Sequence, residues 1–356
     1  MLVTHLTEQL DMKSSAAYDA PETSGGMKML RTFAKTWAVS VGVVAIFFAG
    51  STAVAQDFTF RVGFQTANPD TPVFVTAEKL KDSVEKGSNG RIKLELFPGG
   101  TLGDQLALVS GVRSGAIDMG VMVAWSVATV EPSAMLADLP FLFDDLESAR
   151  NILDGPAGQK ILTYLEPKGI KGLGWSELGL RGIIGNKPVR TPEDLKGLKI
   201  RVVPNPLYIA AWKAAGANPV PLAFSEIYLA LQQGAIDAVD TNYEAFYGAK
   251  HYEVSKYLAL TDHMYTAAII AMNLRKFEGL PADLQEVMLQ AAADAKVESW
   301  AKAQEIETRA KEVIGNNVDE VTQPARAAFR EAMKPVYTQY EAAMGKDLLE
   351  LAGIVQ

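Results

Sequence analysis

Arg181 and Arg201 are where this sequence could hold an anion. A guanidinium presents a planar fork that pairs with both oxygens of a carboxylate. No basic cluster surrounds either arginine, and the chain carries a net charge of −8. The two make a localised positive site suited to a small carboxylate. Nucleic acid would favour a broadly basic surface. Asp240, Thr241 and Asn242 end an apolar run and supply polar groups. Each of these residues also has a plainer reading, as a solvated loop or a salt bridge. In "LKGLKIRVVPNP", alternation puts Ile200 and Val202 on one strand face and Lys199, Arg201 and Val203 on the other. That pattern serves a solvated face and an anion site equally.

Other chemistry is thin. The chain has no cysteine, which excludes disulfides, thiolate metal sites and a cysteine nucleophile. Its three histidines are His5, His251 and His263. None has the partner spacing of a metalloprotease helix, and no phosphate-binding glycine loop or Gly-x-Ser-x-Gly elbow is present. The expectation is a protein that is not an enzyme and needs no cofactor or metal. His263 in "TDHMY" is read as a structural histidine or one behind the site.

The elements that must position the arginines follow an α/β pattern. "FTFRVGF" (58–64), "RIKLELF" (91–97) and "AIDMGVMV" (116–123) read as strands, with helices at 72–86 and about 104–114 between them. The order recurs with strand "KIRVV", helix "PLYIAAWKAAG", short strand "NPVPL", helix "FSEIYLALQQG" capped by Ser225, and strand "AIDAVDT". Gly-Ala-Ile-Asp occurs at 115–118 and at 234–237, each time closing a helix that contains Leu-Ala-Leu. Glycine is expected in the left-handed conformation at both places. Two similarly built lobes with parallel strands follow. Arg201 and Asp240–Asn242 then sit at carboxyl ends of strands, where ligands of open α/β sheets bind. Residues 281–313 lack an internal Gly or Pro and read as one long helix, and 323–356 as one or two more.

The start of the chain speaks to compartment. Lys28, Arg31 and Lys35 precede an apolar run over 37–50 and then Ala53-Val54-Ala55. That is the three-part pattern of a secretory signal peptide over 27–55, with residues 1–26 a mis-called extension and the mature chain starting near Gln56. A run of 14 residues is short for a membrane span of ~20. Export without cysteine fits the bacterial periplasm.

"GLKIRVVPNPLYIAAWKAAGANPVPLAFSEIYLALQQGAIDAVDTN" resembles the core of the substrate-binding proteins of tripartite ATP-independent periplasmic (TRAP) transporters, the DctP-like family. "ELFPGGTLGDQLALVSGVRSGAIDMGV", "LADLPFLFDD", "KHYEVSKYLALTDHM" and "LPADLQEVMLQAA" extend the likeness over 57–345. The resemblance implies an α/β periplasmic binding protein of two lobes, joined by hinge strands and spanned by a long helix. The lobes implied are 56–178 plus about 267–306, and 179–266 plus about 307–356. It implies capture of a small organic acid (a sugar acid, dicarboxylate or hydroxy or keto acid) by lobe closure, and delivery to the TRAP permease by a monomeric receptor. A sensor subunit presenting the same ligand to a signalling receptor would look identical. The family's carboxylate clamp falls on Arg201, its second pocket arginine on Arg181, its pocket phenylalanine on Phe224 and its cross-cleft polar residue on Gln65. Trp125 joins this expected ligand-binding set, with His263 and Glu226 behind it. The family's Gly-Gln-Glu-Asn-Pro reads Ala-Val-Asp-Thr-Asn here, so Thr241 or Asn242 takes the place of the family asparagine. Asp240 and Glu177 are expected to add negative charge beside the ligand, which suits a hydroxylated or amino-bearing carboxylate.

Overall fold

Strand β1 (Phe58–Gly63) lies between β2 (Ile92–Phe97) and β3 (Met119–Val123), parallel to both. These positions come from a computed structural model, which describes residues 56–354. The extension and signal peptide read at 1–26 and 27–55 lie outside the described residues.

The crossover helices begin and end where their sequences direct. Helix Pro72–Gly87 opens on Thr71, whose hydroxyl accepts from the Phe74 amide, with Pro72 in the first turn. Its buried stripe includes Ala77, Leu80 and Val84. Helix Gln105–Ser114 opens on Asp104, which accepts from the Ala107 amide at 2.8 Å. It closes on Gly115 at φ 85°.

The Gly-Ala-Ile-Asp repeat has one physical meaning in both copies. Gly115 and Gly234 are both left-handed, at φ 85° and 70°. Asp118 then accepts from the backbone amide of Arg61 on β1 at 2.7 Å. Asp237 accepts from the amide of Lys199, the first residue of β5 (Lys199–Val202), at 3.0 Å. In each lobe the aspartate therefore holds the neighbouring parallel strand, at Arg61 within β1 and at Lys199 where β5 starts. The strand that follows it is five residues long in both copies: β3, and β7 (Ala238–Asn242). Strand β5 lies between β7 and β6 (Asn218–Pro221), parallel to both.

Two antiparallel strands join the lobes. Strand β4 (Ile170–Gly185) pairs with β9 (Tyr265–Asn273) over Ile170–Leu180, and with β7 over Arg181–Gly185. Its register shifts between Glu177 and Gly179. Gly179 sits there at φ 100°, and a Cβ on it would lie 2.9 Å from the Glu307 carboxylate. Strand β9 continues the first lobe by pairing with β3. Strand β8 (Tyr257–Ala259) pairs with both β4 and β10 (Glu320–Thr322).

Helix Ala282–Gly315 is 34 residues long, about 51 Å at 1.5 Å per residue. Its Leu284, Met288, Ala291 and Ala295 share a buried cluster with Leu80, Ile92 and Leu94. Farther along, Ala310 and Ile314 join the other large cluster, with Ile184 and Leu258. Two expectations need correction. The segment 323–356 forms three helices, Arg326–Met333, Pro335–Met344 and Lys346–Leu351. Pro335 starts one, and Gly345 at φ 86° separates the last two. "FSEIYLALQQG" is a 3₁₀ turn, Phe224–Glu226, leading into helix Ile227–Gln232, and Ser225 does not cap it. Glu226 instead reaches back and accepts from the Ala223 amide at 2.9 Å. Arg181 lies inside β4.

Candidate functional site

The carboxyl ends of β3, β5 and β7 open onto one cavity of about 500 Å³. Of the residues named from sequence, Gln65, Trp125, Arg181, Arg201, Phe224, Thr241 and Asn242 line it. Asp240, Glu177, His263 and Glu226 do not.

Arg201 is 2% exposed. Its Nε and Nη2 both donate to the Leu222 carbonyl, at 3.0 and 2.9 Å, which fixes the plane of the fork. Among the described residues no carboxylate pairs with it, and its Nη1 makes no hydrogen bond. Burial, and then the nearby Arg181 charge, push its pKa down to about 9. A buried cation is disfavoured unless a counter-charge meets it. Lys199, two residues earlier on β5, is exposed, and its ammonium bonds the Gly234 carbonyl.

Arg181 is compensated where Arg201 is not. Its Nε donates to Asp240 Oδ1 at 2.8 Å, Nη2 to the Asp240 carbonyl at 2.9 Å and Nη1 to Thr266 at 3.2 Å. Its guanidinium stands 4.9 Å from the Tyr208 ring centroid. Burial works against the charge, but Asp240 and Tyr208 leave the pKa above its ordinary value. Asp240 also meets His263 Nε2 at 3.0 Å and accepts from Trp212 Nε1 at 2.9 Å. Burial raises its pKa, yet Arg181 and His263 hold it well below the usual carboxylate range.

The two acids expected beside the ligand are therefore already neutralised. Asp240 is spent on Arg181, and Glu177 on Arg150. Arg150 reaches Glu177 with Nε at 2.9 Å and Nη2 at 2.6 Å, and the Tyr265 hydroxyl adds a bond at 2.8 Å. Glu244, an acid in the cavity wall that sequence reasoning passed over, carries no such partner among the described residues. Its signal was available. Trp125 stands ten residues after Gly115, and Glu244 ten residues after Gly234. The repeat thus puts the two at equivalent places, two residues beyond β3 and β7.

The rest of the wall is partly polar and partly apolar. Gln65 donates Nε2 to the Gly103 carbonyl at 2.7 Å, and among the described residues its Oε1 accepts no hydrogen bond. Asn242 bridges to Glu244 with Nδ2 at 2.7 Å. Phe224 is 49% exposed and stands edge-on to His251, ring centroids 5.9 Å apart. His251 was not expected here. Burial and Arg201 push its pKa down to about 4, so it is neutral behind Phe224.

Asp138 lies behind Arg181 and gives a test of this buried network. It accepts from the Tyr208 hydroxyl at 2.7 Å, and its second oxygen has no partner. Burial raises its pKa from 3.8 to about 7. A carboxyl raised in the folded state favours folding only while protonated, so its contribution is lost between about pH 4 and 7. Three pKa units correspond to about 4 kcal/mol. Asp138→Asn cannot ionise. Its urea midpoint should match wild type near pH 4 and exceed it by up to about 4 kcal/mol in stability at pH 8. An equal difference at both pH values would refute the assignment.

Among the described residues no helix is long and apolar enough to cross a membrane, and no cluster of His, Cys, Asp and Glu could hold a metal. The two α/β lobes, their shared strands and the cleft over an unpaired arginine define a solute-binding protein. The bacterial extracellular solute-binding protein family 7 model, DctP, matches residues 64–343, and the chain belongs to that family. A 2,3-diketo-L-gulonate-binding periplasmic protein of Escherichia coli is 35% identical over 329 residues, covering 90% of this chain and 98% of that one. A C4-dicarboxylate-binding periplasmic protein of Rhodobacter capsulatus is 30% identical, covering 87% and 94%. The crystal structure of a TRAP periplasmic solute-binding protein from a Sulfitobacter species, with β-D-galacturonate bound, matches with a TM-score of 0.78 at 30% identity, covering 83% and 98%.

Proposed function

We propose that the protein is the periplasmic receptor of a TRAP transporter. It captures a small organic acid by clamping its carboxylate on Arg201, closes its lobes over it and delivers it to the membrane permease. One observation carries this reading. Arg201 is a nearly sealed cation with no ion pair among the described residues, in the wall of a cavity of ligand size. Relatives that bind keto-sugar acids, uronates and dicarboxylates share a carboxylate and little else, which suits a receptor built around that group.

In this reading Arg201 meets the acid first. Gln65 and Trp125 come from the lobe of β1 and β3. Thr241, Asn242 and Phe224 come from the lobe of β5 and β7. Closure brings the two sets onto one ligand, and the contacts made only in the closed state drive it. The bends fall near 178/179 in β4, 266/267 in β9 and 306/307 in the long helix. Asp240 and His263 keep Arg181 in place behind the ligand.

Thermal-shift screening against a library of organic acids tests this. At a hundredfold excess over Kd a ligand stabilises by about 2.7 kcal/mol. At least one carboxylic acid should raise the melting temperature in a concentration-dependent way, while its neutral amide does not. A library in which no acid shifts the transition would overturn the reading.

A further inference from the structure

The cavity contains a second unpaired ionisable group, opposite in kind to Arg201. Glu244 lies two residues beyond β7, in helix Tyr243–Gly248, and is 8% exposed. Its Oε2 accepts from Asn242 Nδ2 at 2.7 Å. Among the described residues its Oε1 accepts no hydrogen bond, and no Lys, Arg or His pairs with the carboxyl. It differs in this from Asp240 and Glu177, each of which an arginine neutralises. The other acid of the lining, Asp104, caps a helix.

We propose that Glu244 sets the ligand class. The receptor takes a monocarboxylate whose hydroxyl groups reach Glu244, and rejects dicarboxylates. The proposal rests on the carboxylate reading of Arg201 and deepens it. One cation answers one carboxylate. A second carboxylate on the ligand would share a chamber of about 500 Å³ with the Glu244 carboxyl and find no second unpaired arginine, since Arg181 is held by Asp240. Like charges in a desolvated site disfavour each other strongly, and a mismatched group of this kind is how a site excludes the wrong partner. A ligand hydroxyl has the opposite fate. It donates to Oε1, which among the described residues accepts no hydrogen bond. Burial pushes the Glu244 pKa up to about 7, as expected of a carboxyl that lacks a counter-charge. The amide of Asn242 orients the carboxyl, and the Gln65, Thr241 and Asn68 side chains around the cavity offer more groups to a polyol.

The test is calorimetry on the purified protein at pH 8 with four probes: D-galacturonate, D-gluconate, succinate and L-malate. Wild type should bind at least one of the first two, and bind succinate and malate a hundredfold or more weakly. Glu244→Gln should weaken the hydroxylated monocarboxylate tenfold or more and strengthen the dicarboxylates, so the ratio narrows. Glu244→Asp keeps the charge and shortens the reach. It should weaken the monocarboxylate yet still reject succinate, and it keeps the proposal testable if the glutamine variant folds poorly. A wild-type preference for succinate, or a ratio unchanged in Glu244→Gln, overturns the role of Glu244 while Arg201-dependent binding stands. Binding of none of the four acids, or binding indifferent to Arg201→Lys, overturns the carboxylate reading and this proposal with it.

Discussion

Arg201→Lys is expected to lower affinity for the captured acid at least thirtyfold, about 2–5 kcal/mol of binding. In the proposed clamp the native side chain performs two tasks at once. Nε and Nη2 hold the Leu222 carbonyl, and Nη1 is left for the ligand. A lysine has one nitrogen at the end of a flexible stem, so it either bonds Leu222 or meets the acid as a point charge. Protonation makes the loss larger. Burial and Arg181 already push the Arg201 pKa down to about 9. The same environment acting on an ammonium, which starts near 10.4, favours its neutral form. The unliganded variant should fold as wild type does, or be slightly more stable, because an uncompensated buried charge has been weakened. Calorimetry at pH 7, with the acid that gives the largest thermal shift, reads the effect. Affinity within threefold of wild type would remove Arg201 from the clamp.

The sequence showed most where the physics is local. Left-handed glycines at 115 and 234 close helices by backbone conformation alone, so the repeat and the strands that follow it were readable. Arg201 was readable because a strand alternates and Pro204 marks its end. The two joining strands were not. β4 holds four internal glycines and ends on a fifth, besides Glu177 and Arg181, and its burial is nearly continuous. β9 is buried at every residue. Neither shows the period-two alternation of a half-exposed strand, because both are covered on two sides.

The site divides in the same way. Strand ends pointed to Arg201, Thr241 and Asn242 and the family likeness to Gln65 and Phe224, and all five line the cavity. Which charges stay free did not follow, because pairing is tertiary. Arg181 and Asp240 are 59 residues apart, and Arg150 and Glu177 are 27 apart. From sequence alone, Asp240 and Glu177 looked like negative charge offered to the ligand. In the fold they are internal counter-ions, and Glu244 inherits the role they were given.

Asp240→Ala should destabilise the protein by about 3–5 kcal/mol, the usual consequence of removing one partner of a buried ion pair. Asp240 is fully buried and gathers donors from three elements: Arg181 on β4, Trp212 on helix Pro206–Ala214 and His263 on the segment between β8 and β9. Alanine leaves the Arg181 guanidinium, itself 1% exposed, with Thr266 and a carbonyl as its remaining partners. It also strands the Trp212 N–H in the core. Asp240→Asn keeps the volume but removes the charge and turns an N–H toward a donor, so it should also destabilise. The pH dependence has a fixed sign. A carboxylate held below its ordinary pKa contributes fully above about pH 4, and that contribution is lost as acid protonates it. The gap between wild type and Asp240→Ala should therefore be widest near neutral pH and shrink in acid. Arg181→Met on the alanine background should recover part of the loss, because the unpaired charge goes with it. Urea denaturation at pH 7 reads all three variants. A cost for Asp240→Ala below about 1 kcal/mol, the scale of an exposed pair, would mean that this network does not brace the strand ends where the ligand is to bind.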